Sequence, residues 1–371
     1  MSNECGDKDD AADRAVTALL TRAATADSHA DDRLRVAIAD FFLADAARLD
    51  DRTRIAMAAT LGDLVQAVEG ALRHHAARLL LAREAAPLSA AIEAEEPSIF
   101  QRLVQAGVLR DPELMRELLG RVQQDLLTDA LSGESPDDPD RPSLLPRLAG
   151  AADRVISASA VALMTAESRR RVAPTPGQPA VTDLPAELHH RVIWWVAAAI
   201  RESMGPLESE SQALLDRALV DAALRSIAAH DEGDRLEATA LRLASALDPQ
   251  ASELAILLVE ALADRRLSLF IALLARALGL DYSDAREVVL DRDGSRFWLV
   301  LRALELDRAA IARIGLALCE SDPARNLDRF ADGIDDILAI SPATARHALA
   351  PLLLHRDYRA ALVALGRRTH Q

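Results

Sequence analysis

Apolar residues recur at spacings of three and four positions along most of the chain, which places them on one face of an α-helix. The stretch from Ser268 to Leu318 shows this best, because it contains nearly the same phrase twice. The two phrases are Arg276-Ala-Leu-Gly-Leu-Asp281 and Arg302-Ala-Leu-Glu-Leu-Asp307. Each follows an apolar run led by an aromatic residue and precedes another run with helical spacing. We therefore predict, at each phrase, a helix, a tight corner, an N-capping Asp and a further helix.

Helix start signals recur elsewhere. Two Asp residues precede an apolar run at Asp31 and again at Asp50, where they can cap a helix and complement its positive end. True duplication and convergent capping explain this pair equally well. A longer helix is predicted from Asp63 to Glu84. Further predicted starts combine a capping residue with proline: Asp111-Pro112, Asp248-Pro249, Asp322-Pro323 and Ser341-Pro342.

Two proline-rich stretches interrupt the helical pattern, from Ser132 to Ser143 and from Ala173 to Pro179. Neither has apolar residues enough to bury, so we interpret them as linkers or long loops. The resulting domain prediction is a disordered acidic tail over residues 1–10 and an N-terminal helical domain over residues 11–131. A linker region with a bridging helix follows over residues 132–182, and a C-terminal helical domain over residues 183–371.

The helices of this last domain carry a family resemblance. The stretches from Leu267 to Asp281 and from Phe297 to Asp307 resemble an uncharacterised bacterial family of HEAT-like α-helical proteins, a domain-of-unknown-function family found mainly in alphaproteobacteria. The resemblance extends over the chain from Asp31 and is strongest from Asp248 to Leu318. It implies an α-solenoid-like stack of helix pairs and offers no catalytic residues to carry over. The predicted fold class is all-α, a HEAT-like helical-repeat stack with an N-terminal helical domain.

Composition agrees with helices and disfavours several partners. Half of the residues are hydrophobic but 3% are aromatic, and Ala, Leu and Arg dominate. The net charge of −15 repels nucleic acid and anionic membranes, and the best basic stripe, Arg169-Arg170-Arg171, is short. We expect no nucleic-acid or membrane partner. Lys8 is the only lysine, so no domain offers one for a Schiff base or phosphate loop.

The sequence favours a cytoplasmic location. Cys5 and Cys319 lie too far apart in sequence to suggest a metal or disulfide framework. The N-terminus has no apolar signal-peptide segment. The longest uncharged helical run, from Val155 to Ala166, is too short to span a bilayer.

Motifs for metal, cofactor or catalytic chemistry are absent from the sequence. It contains no G-x-G-x-x-G, H-E-x-x-H or C-x-x-C. Asp291-Arg-Asp-Gly-Ser295 faintly resembles a calcium loop, but aligning Gly294 puts Val289 and Val300 at acidic ligand positions, so a capped turn is the better interpretation. Two pairs of adjacent histidines occur, His74-His75 and His189-His190. The two side chains of each pair would point about 100° apart on a helix and could not bind one metal together, so we predict that they lie on a helix surface. We predict no catalytic, cofactor-binding or metal-binding residues.

Trp194-Trp195 is the most informative pair. On a helix from Pro185 to Met204, Trp195 joins the apolar stripe and Trp194 falls on the polar face beside Arg191 and Arg201. Another helix of the chain could cover Trp194. The functional hypothesis makes Trp194 a partner-binding residue in a homodimer or partner contact, with Arg191 and Arg201 at its rim.

The leading functional expectation is a non-enzymatic scaffold or regulatory protein that binds another protein, of unidentified nature, through a helical-repeat surface. One alternative is a small-ligand sensor with a pocket between helices, and another is an enzyme without a recognisable motif. A broad exposed apolar patch would favour the first, and a polar cluster in a cavity the others.

Overall fold

The predicted all-α class is confirmed for the part of the chain that the structure describes. That structure, a computed structural model, describes residues 48–94, 98–131, 143–171 and 179–368. Within these ranges the chain forms seventeen α-helices and no strand. The chain divides into two units between Arg54 and Ile55. The predicted acidic tail, the helix predicted at Asp31, nearly all of residues 132–143 and residues 172–178 lie outside the described residues.

The helices are named here in chain order. They are α1 (Asp51–Leu81), α2 (Ala86–Glu93), α3 (Ile99–Ala106), α4 (Pro112–Ala130), α5 (Leu144–Ala149), α6 (Arg154–Arg171), α7 (Ala186–Ser203), α8 (Ser209–Ala228), α9 (Leu236–Leu247), α10 (Ala251–Ala263), α11 (Leu267–Leu278), α12 (Tyr282–Leu290), α13 (Ser295–Ala303), α14 (Arg308–Ser321), α15 (Leu327–Ala339), α16 (Pro342–Leu349) and α17 (Arg356–Arg368).

Helix α1 joins two segments that the sequence predicted as separate helices. It begins after Asp50, whose carboxylate accepts a hydrogen bond from the backbone N–H of Thr53 at 2.7 Å, as predicted. The separate start predicted at Asp63 is wrong, because residues 51–81 continue as one helix without a break. Aligned backbone hydrogen bonds need no new cap where no proline interrupts them.

Among the described helices, α1 is the one that is long and apolar enough to cross a membrane, judged by length and composition alone. Its most apolar stretch of 18 residues has a mean hydropathy of 1.3, and 28% of that stretch is buried inside the protein. The core helix of a water-soluble protein passes the same test, so this is weak evidence for a span. The buried residues form one face, including Val65, Val68 and Leu72, which packs into a protein core.

The described helices bury two hydrophobic cores. The N-terminal core takes residues from α1–α4, α7 and α8, and the C-terminal core from α5, α6 and α9–α16 together with Leu127 and Leu131 at the end of α4. This packing differs from the predicted domains, because α7 and α8 follow residue 183 yet pack with the N-terminal helices. Helix α6, predicted as a bridge, packs against α9 in the C-terminal core.

Helix α11 is the centre of the C-terminal core. Its residues 267–275 are all buried, nine consecutive positions that include Phe270 and Ser268. Helices α4, α9, α10 and α12 contact it. A helix that is apolar on every side has to be surrounded in this way, and the sequence run Leu269 to Leu274 is the signal for it.

The repeated phrases form the same corner twice. Helix α11 ends at Gly279 with φ of 68°, and Glu305, at the equivalent position after α13, has φ of 60°. In both corners the N–H of the following leucine bonds to a carbonyl five residues back, Leu280 to Ala275 at 2.9 Å and Leu306 to Leu301 at 3.3 Å. This is the Schellman ending, in which a left-handed residue turns the chain out of the helix.

A left-handed backbone conformation strains Glu305, whereas glycine adopts it without strain. We expect Glu305→Gly to raise the free energy of unfolding by about 0.5–1 kcal/mol and Gly279→Ala to lower it by about 1 kcal/mol. Urea unfolding measures both. The exposed pair that Glu305 makes with Arg346 contributes little at the surface. A loss of stability in Glu305→Gly would contradict the shared corner geometry.

Candidate functional site

A buried cluster of charged side chains lies where the two cores meet. Arg286 of α12 is 3% exposed, and its guanidinium reaches two carboxylates from other helices. Its Nη2 donates to Oε2 of Glu117 in α4 at 2.8 Å, and its Nη1 donates to Oε1 of Glu237 in α9 at 2.5 Å. Arg235 completes the arrangement, with its Nη2 2.9 Å from Glu237 Oε2 and 3.4 Å from Glu117 Oε1. Two carboxylates thus share two guanidinium groups.

Gly120 makes room for this cluster. A Cβ on Gly120 would lie 2.8 Å from Nε of Arg286 and 2.9 Å from its Cζ. These distances are shorter than atoms tolerate, so the guanidinium can lie against α4 because residue 120 has no side chain. Here the glycine is needed for close approach.

A second set of ion pairs extends the cluster towards α6 and the start of α7. Arg170 of α6 donates from Nε to Oδ2 of Asp183 at 2.6 Å and from Nη1 to Oδ1 of Asp125 at 3.0 Å. The other carboxylate oxygen of Asp183 accepts from the backbone N–H of Leu236 at 2.9 Å, and so caps α9. Asp183 itself has a left-handed φ of 53°. One carboxylate therefore ties three segments together.

Burial and neighbouring charges push the pKa values of the two central glutamates apart. Burial opposes ionisation of Glu117, but Arg286 and Arg235 outweigh it and lower the pKa of this carboxyl. For Glu237, burial and the nearby Glu117 raise the pKa, against the opposing effect of Arg286. Divergent pKa values of this kind occur at catalytic sites. Here both oxygens of Glu237 are held by arginines, so the geometry favours a structural role.

Tyr282 borders the same cluster. Burial, and then the charge of Glu237, raise the pKa of this phenol. Its hydroxyl donates to Oε1 of Gln124 at 3.2 Å, and both residues are buried. The phenol therefore stays protonated as a hydrogen-bond donor in the core.

A pocket of about 190 Å³ opens beside the cluster, between α4, α6 and the start of α11. Its wall includes Asp129, Glu167, Arg170, Arg265 and Ser268. Arg265 donates to the backbone carbonyls of Thr128 and Asp129, at 3.3 and 3.1 Å, and Ser268 donates to Glu167 at 3.3 Å. The polar wall is thus largely engaged with itself, and the volume is below that of typical ligand pockets, about 300–1,000 Å³.

Two stacked histidines form a second buried polar feature. The rings of His189 in α7 and His230 lie 4.2 Å apart at an angle of 10°. His189 Nε2 lies 3.3 Å from the carbonyl of Ser226, and its Nδ1 lies 2.8 Å from the hydroxyl of Thr182. A neutral ring satisfies both contacts, donating to the carbonyl and accepting from the hydroxyl. Burial and then His230 lower the pKa of His189 to about 4. The expectation of a surface position for His189 is therefore wrong, since it is 1% exposed.

The predicted partner-binding residues lie on α7, where the arginines already have partners in the chain. Arg191 pairs with Asp111 at 2.8 Å and with Glu113, both at the start of α4, and Arg201 pairs with Asp216 of α8 at 2.5 Å. Trp194 is half-buried, and its indole N–H donates to His190 at 3.1 Å.

The expected contrast between the two tryptophans is absent. Trp195 is half-buried like Trp194, and both pack against the N-terminal core. Ile193 and Val196 take the buried positions instead. A partner contact at Trp194 stays a prediction.

The Asp291 loop forms a capped turn. The carboxylate of Asp291 accepts from the backbone N–H of Asp293 at 3.2 Å and from Arg296 at 3.1 Å, and Gly294 has φ of 72°. Among the described residues no group of three or more His, Cys, Asp or Glu side chains could hold a metal ion.

Helix α17 has an exposed apolar stripe. Tyr358, Leu362 and Leu365, which we call the α17 stripe, are 57%, 46% and 65% exposed and share one face by their spacing of four and three. None of the described side chains of α17 is buried. Two ion pairs join it to the body, from Arg359 to Asp284 at 2.5 Å and from Arg356 to Glu287. Asp284 is 3% exposed, so one of these pairs reaches into the core.

Sequence reasoning missed both the cluster and the stripe. Glu117 stands among buried positions of α4, between Leu114 and Leu118, and Arg286 stands among those of α12. A charge on an apolar face is the signal that could have found them. For the stripe, the signal is apolar spacing in a helix at the very end of the described chain.

Comparisons with protein-family models, with curated proteins and with solved structures found no match to this chain. The family resemblance of the sequence therefore stays a prediction, and function has to be inferred from the residues themselves.

Removing Arg286 would leave two buried carboxylates with one guanidinium between them. We expect Arg286→Met to lower the free energy of unfolding by about 3–5 kcal/mol, and adding Glu237→Gln to recover a large part of that loss. The matched control is Arg308→Met, which breaks the exposed pair with Asp335 and should cost less than about 1 kcal/mol. Urea unfolding measures these changes. Equal losses of stability in Arg286→Met and Arg308→Met would contradict the structural role of the cluster.

His189 should make the protein sensitive to acid. Its folded pKa of about 4 lies below the usual histidine pKa of 6.5, so the unfolded chain binds more protons between these pH values. Stability is therefore lost as pH falls from 6.5 to 4, by up to about 3 kcal/mol from this group. We expect the gap between wild type and His189→Gln to change across this window, measured by urea unfolding. His347→Gln, at an exposed histidine, is the control, and a parallel pH profile for His189→Gln would contradict the assignment.

Proposed function

We propose that this chain is a non-enzymatic scaffold or regulatory protein of the cytoplasm that binds another protein through its helical surface. The observation that carries the proposal is the exposed α17 stripe. A surface helix normally turns its apolar side towards the core. In helix α17, Arg356 and Arg359 pair with acids of the body, whereas Leu362 and Leu365 are 46% and 65% exposed.

The energetics of α17 support a presented binding element. A helix of 13 residues is marginal by itself in water, and exposed ion pairs contribute little. Covering a leucine of the α17 stripe would contribute about 1.5–3 kcal/mol at full burial. A second protein surface can therefore supply an apolar contact to the exposed residues of the α17 stripe.

The spacing of the stripe indicates the chemistry of the occupant. Positions 358, 362 and 365 are one half of a helix–helix contact, in which apolar ridges of one helix fit between those of the other. We propose that the partner presents an amphipathic helix with a matching apolar face.

The α-solenoid-like stack also belongs to this proposal. Consecutive helices contact each other in α7–α8, α11–α12 and α14–α15, and contacts between α10 and α14 and between α13 and α16 join more distant ones. Paired helices with contacts between pairs support a HEAT-like arrangement. The complete burial of α11 is unlike an open stack, so we propose the stack for the helices after it.

A cytoplasmic location is supported by cysteine chemistry. Cys319 is a buried free thiol, and burial raises its pKa. A protonated thiol is unreactive, as suits a structural residue in a reducing compartment.

The pocket between α4, α6 and α11 favours a second candidate, a small-ligand sensor. Buried Gln124 and Ser268 line it, and its volume suits a compact polar molecule. The ion pairs in its wall already satisfy one another, so this pocket supports the second candidate less than the α17 stripe supports the first.

The proposal is tested by photo-crosslinking in the native cells. We expect a benzoylphenylalanine placed at Leu362 to capture a protein on irradiation, because a bound helix would lie directly over this position. The same group at Leu224, 52% exposed on α8, is the matched control. Products of defined mass at 362 and none at 224 are the expected result. The proposal is wrong if position 362 captures no protein.

A further inference from the structure

The pocket between α4, α6 and α11 contains polar groups that its ion pairs do not use. One of them belongs to Gln124, which lines the pocket and is 2% exposed. Its side-chain oxygen accepts from the hydroxyl of Tyr282 at 3.2 Å. Its amide nitrogen donates to no residue in the described part of the chain. A buried donor of this kind is costly unless a molecule in the pocket accepts from it.

Tyr282 fixes the direction of this donor. Burial and the charge of Glu237 raise the pKa of the phenol, so it stays protonated and holds the oxygen end of the Gln124 carboxamide. The nitrogen end is left for the pocket. The matching group on a ligand is a hydrogen-bond acceptor, such as a hydroxyl or carbonyl oxygen.

Two carboxylates of the pocket wall also have capacity to spare. Asp125 and Asp129 are four residues apart and share one face of α4. One oxygen of Asp125 accepts from Arg170 at 3.0 Å, but the other is 4.0 Å from Arg121, too far for a hydrogen bond. The carboxylate of Asp129 is likewise 4.0 Å from Arg265. An ammonium group, with three N–H donors, suits these oxygens.

The charge of the wall favours a cation over an anion. Three acids and two arginines line the pocket, so one negative charge is in excess: Asp125, Asp129, Glu167, Arg170 and Arg265. The acid on the wall opposite α4, Glu167, is already engaged by Arg266 at 2.6 Å and by Ser268 at 3.3 Å. The attraction for a cation therefore centres on the α4 side.

The remaining wall sets the size and shape of the occupant. Buried Leu236 and Leu267 line the pocket and can cover an alkyl chain. Gln124 and Asp129 are five residues apart on α4, which is about 7.5 Å along the helix axis. The volume of about 190 Å³ equals that of about six water molecules in the liquid. A short linear molecule fits these limits.

We infer that this pocket binds a short linear primary amine that carries a neutral oxygen acceptor, as in an amino alcohol or an amino amide. The ammonium group binds between Asp125 and Asp129, and the oxygen accepts from the amide nitrogen of Gln124. This site is separate from the α17 stripe. Amine binding and protein capture at position 362 are therefore independent results, and either can fail without the other.

Titration of the full chain with 5-amino-1-pentanol tests the site, with binding followed by saturation-transfer NMR. We expect a dissociation constant on the order of 1 mM, because so small a molecule makes few contacts. Two analogues are the matched ligand controls: 1-aminopentane lacks the acceptor, and 1-pentanol lacks the ammonium group. Each should bind more than about fivefold more weakly. Equal binding of all three molecules would overturn the inference.

Protein variants separate the site from general attraction of amines to an acidic surface, since the net charge is −15. Asp129→Asn and Gln124→Met should each weaken binding by more than about tenfold. The control, Asp336→Asn, removes the same charge at an exposed acid of α15 and should change binding by less than about twofold.

Asp129→Asn is the deciding variant. Its side chain is 69% exposed, so the variant should keep the melting temperature of wild type, whereas Gln124→Met also removes the hydrogen bond from Tyr282. Binding by Asp129→Asn as tight as that by Asp336→Asn would overturn the inference. So would a wild type that binds no 5-amino-1-pentanol at about 10 mM, tenfold above the expected dissociation constant.

Discussion

A buried arginine sets the relation between the helices of this protein. Arg286 can remain charged in the interior because Glu117 and Glu237 meet it there, and an unpaired charge at that depth would cost several kcal/mol. These three residues lie on α12, α4 and α9, so satisfying one charge fixes three helices. Glu117 belongs to a helix that contributes to both cores, and Arg170 and Asp183 continue the connection towards α6 and α7. Apolar packing forms each core, but the ion pairs determine how α4 lies against the helices of the second. Directional contacts of this sort select one arrangement where apolar surfaces would tolerate several.

Local signals in the sequence predicted helix ends wherever the capping group was itself local. Asp111 and Ser341 cap α4 and α16 as predicted, and Gly279 and Glu305 turn the chain at equivalent places in the two repeated phrases. The starts predicted at Asp248 and Asp322 are wrong, because both residues close the preceding helix. Helices α10 and α15 begin a few residues later, after Gln250 and Asn326. An Asp that precedes Pro can end one helix or begin the next. At both positions the proline lies in the connection between two helices and not in the first turn of the second helix.

The site was less predictable than the fold because its contacts are distant in sequence. Arg286 and Glu117 are separated by 169 residues, so no local pattern pairs them. The same applies to Arg191, which pairs with Asp111 at the start of α4, 80 residues away in the sequence. Helical periodicity assigns a face to a side chain, but it does not say which helix covers that face. Trp194 and Trp195 are an instance, since periodicity put them on opposite faces but both are half-buried against the N-terminal core.

An ion pair with a buried side chain also positions the last helix. Asp284 is buried in α12, two residues before Arg286, and the guanidinium that it needs comes from Arg359 of α17. Arg356 and Arg359 pair with Glu287 and Asp284 of α12, while Leu362 and Leu365 remain 46% and 65% exposed. Ion pairs with acids of the body therefore position α17, and its apolar stripe stays exposed. A helix attached by its charged face is inverted relative to an ordinary surface helix. The apolar side that results can be buried by a second protein surface without disturbing the ion pairs that hold the helix in place.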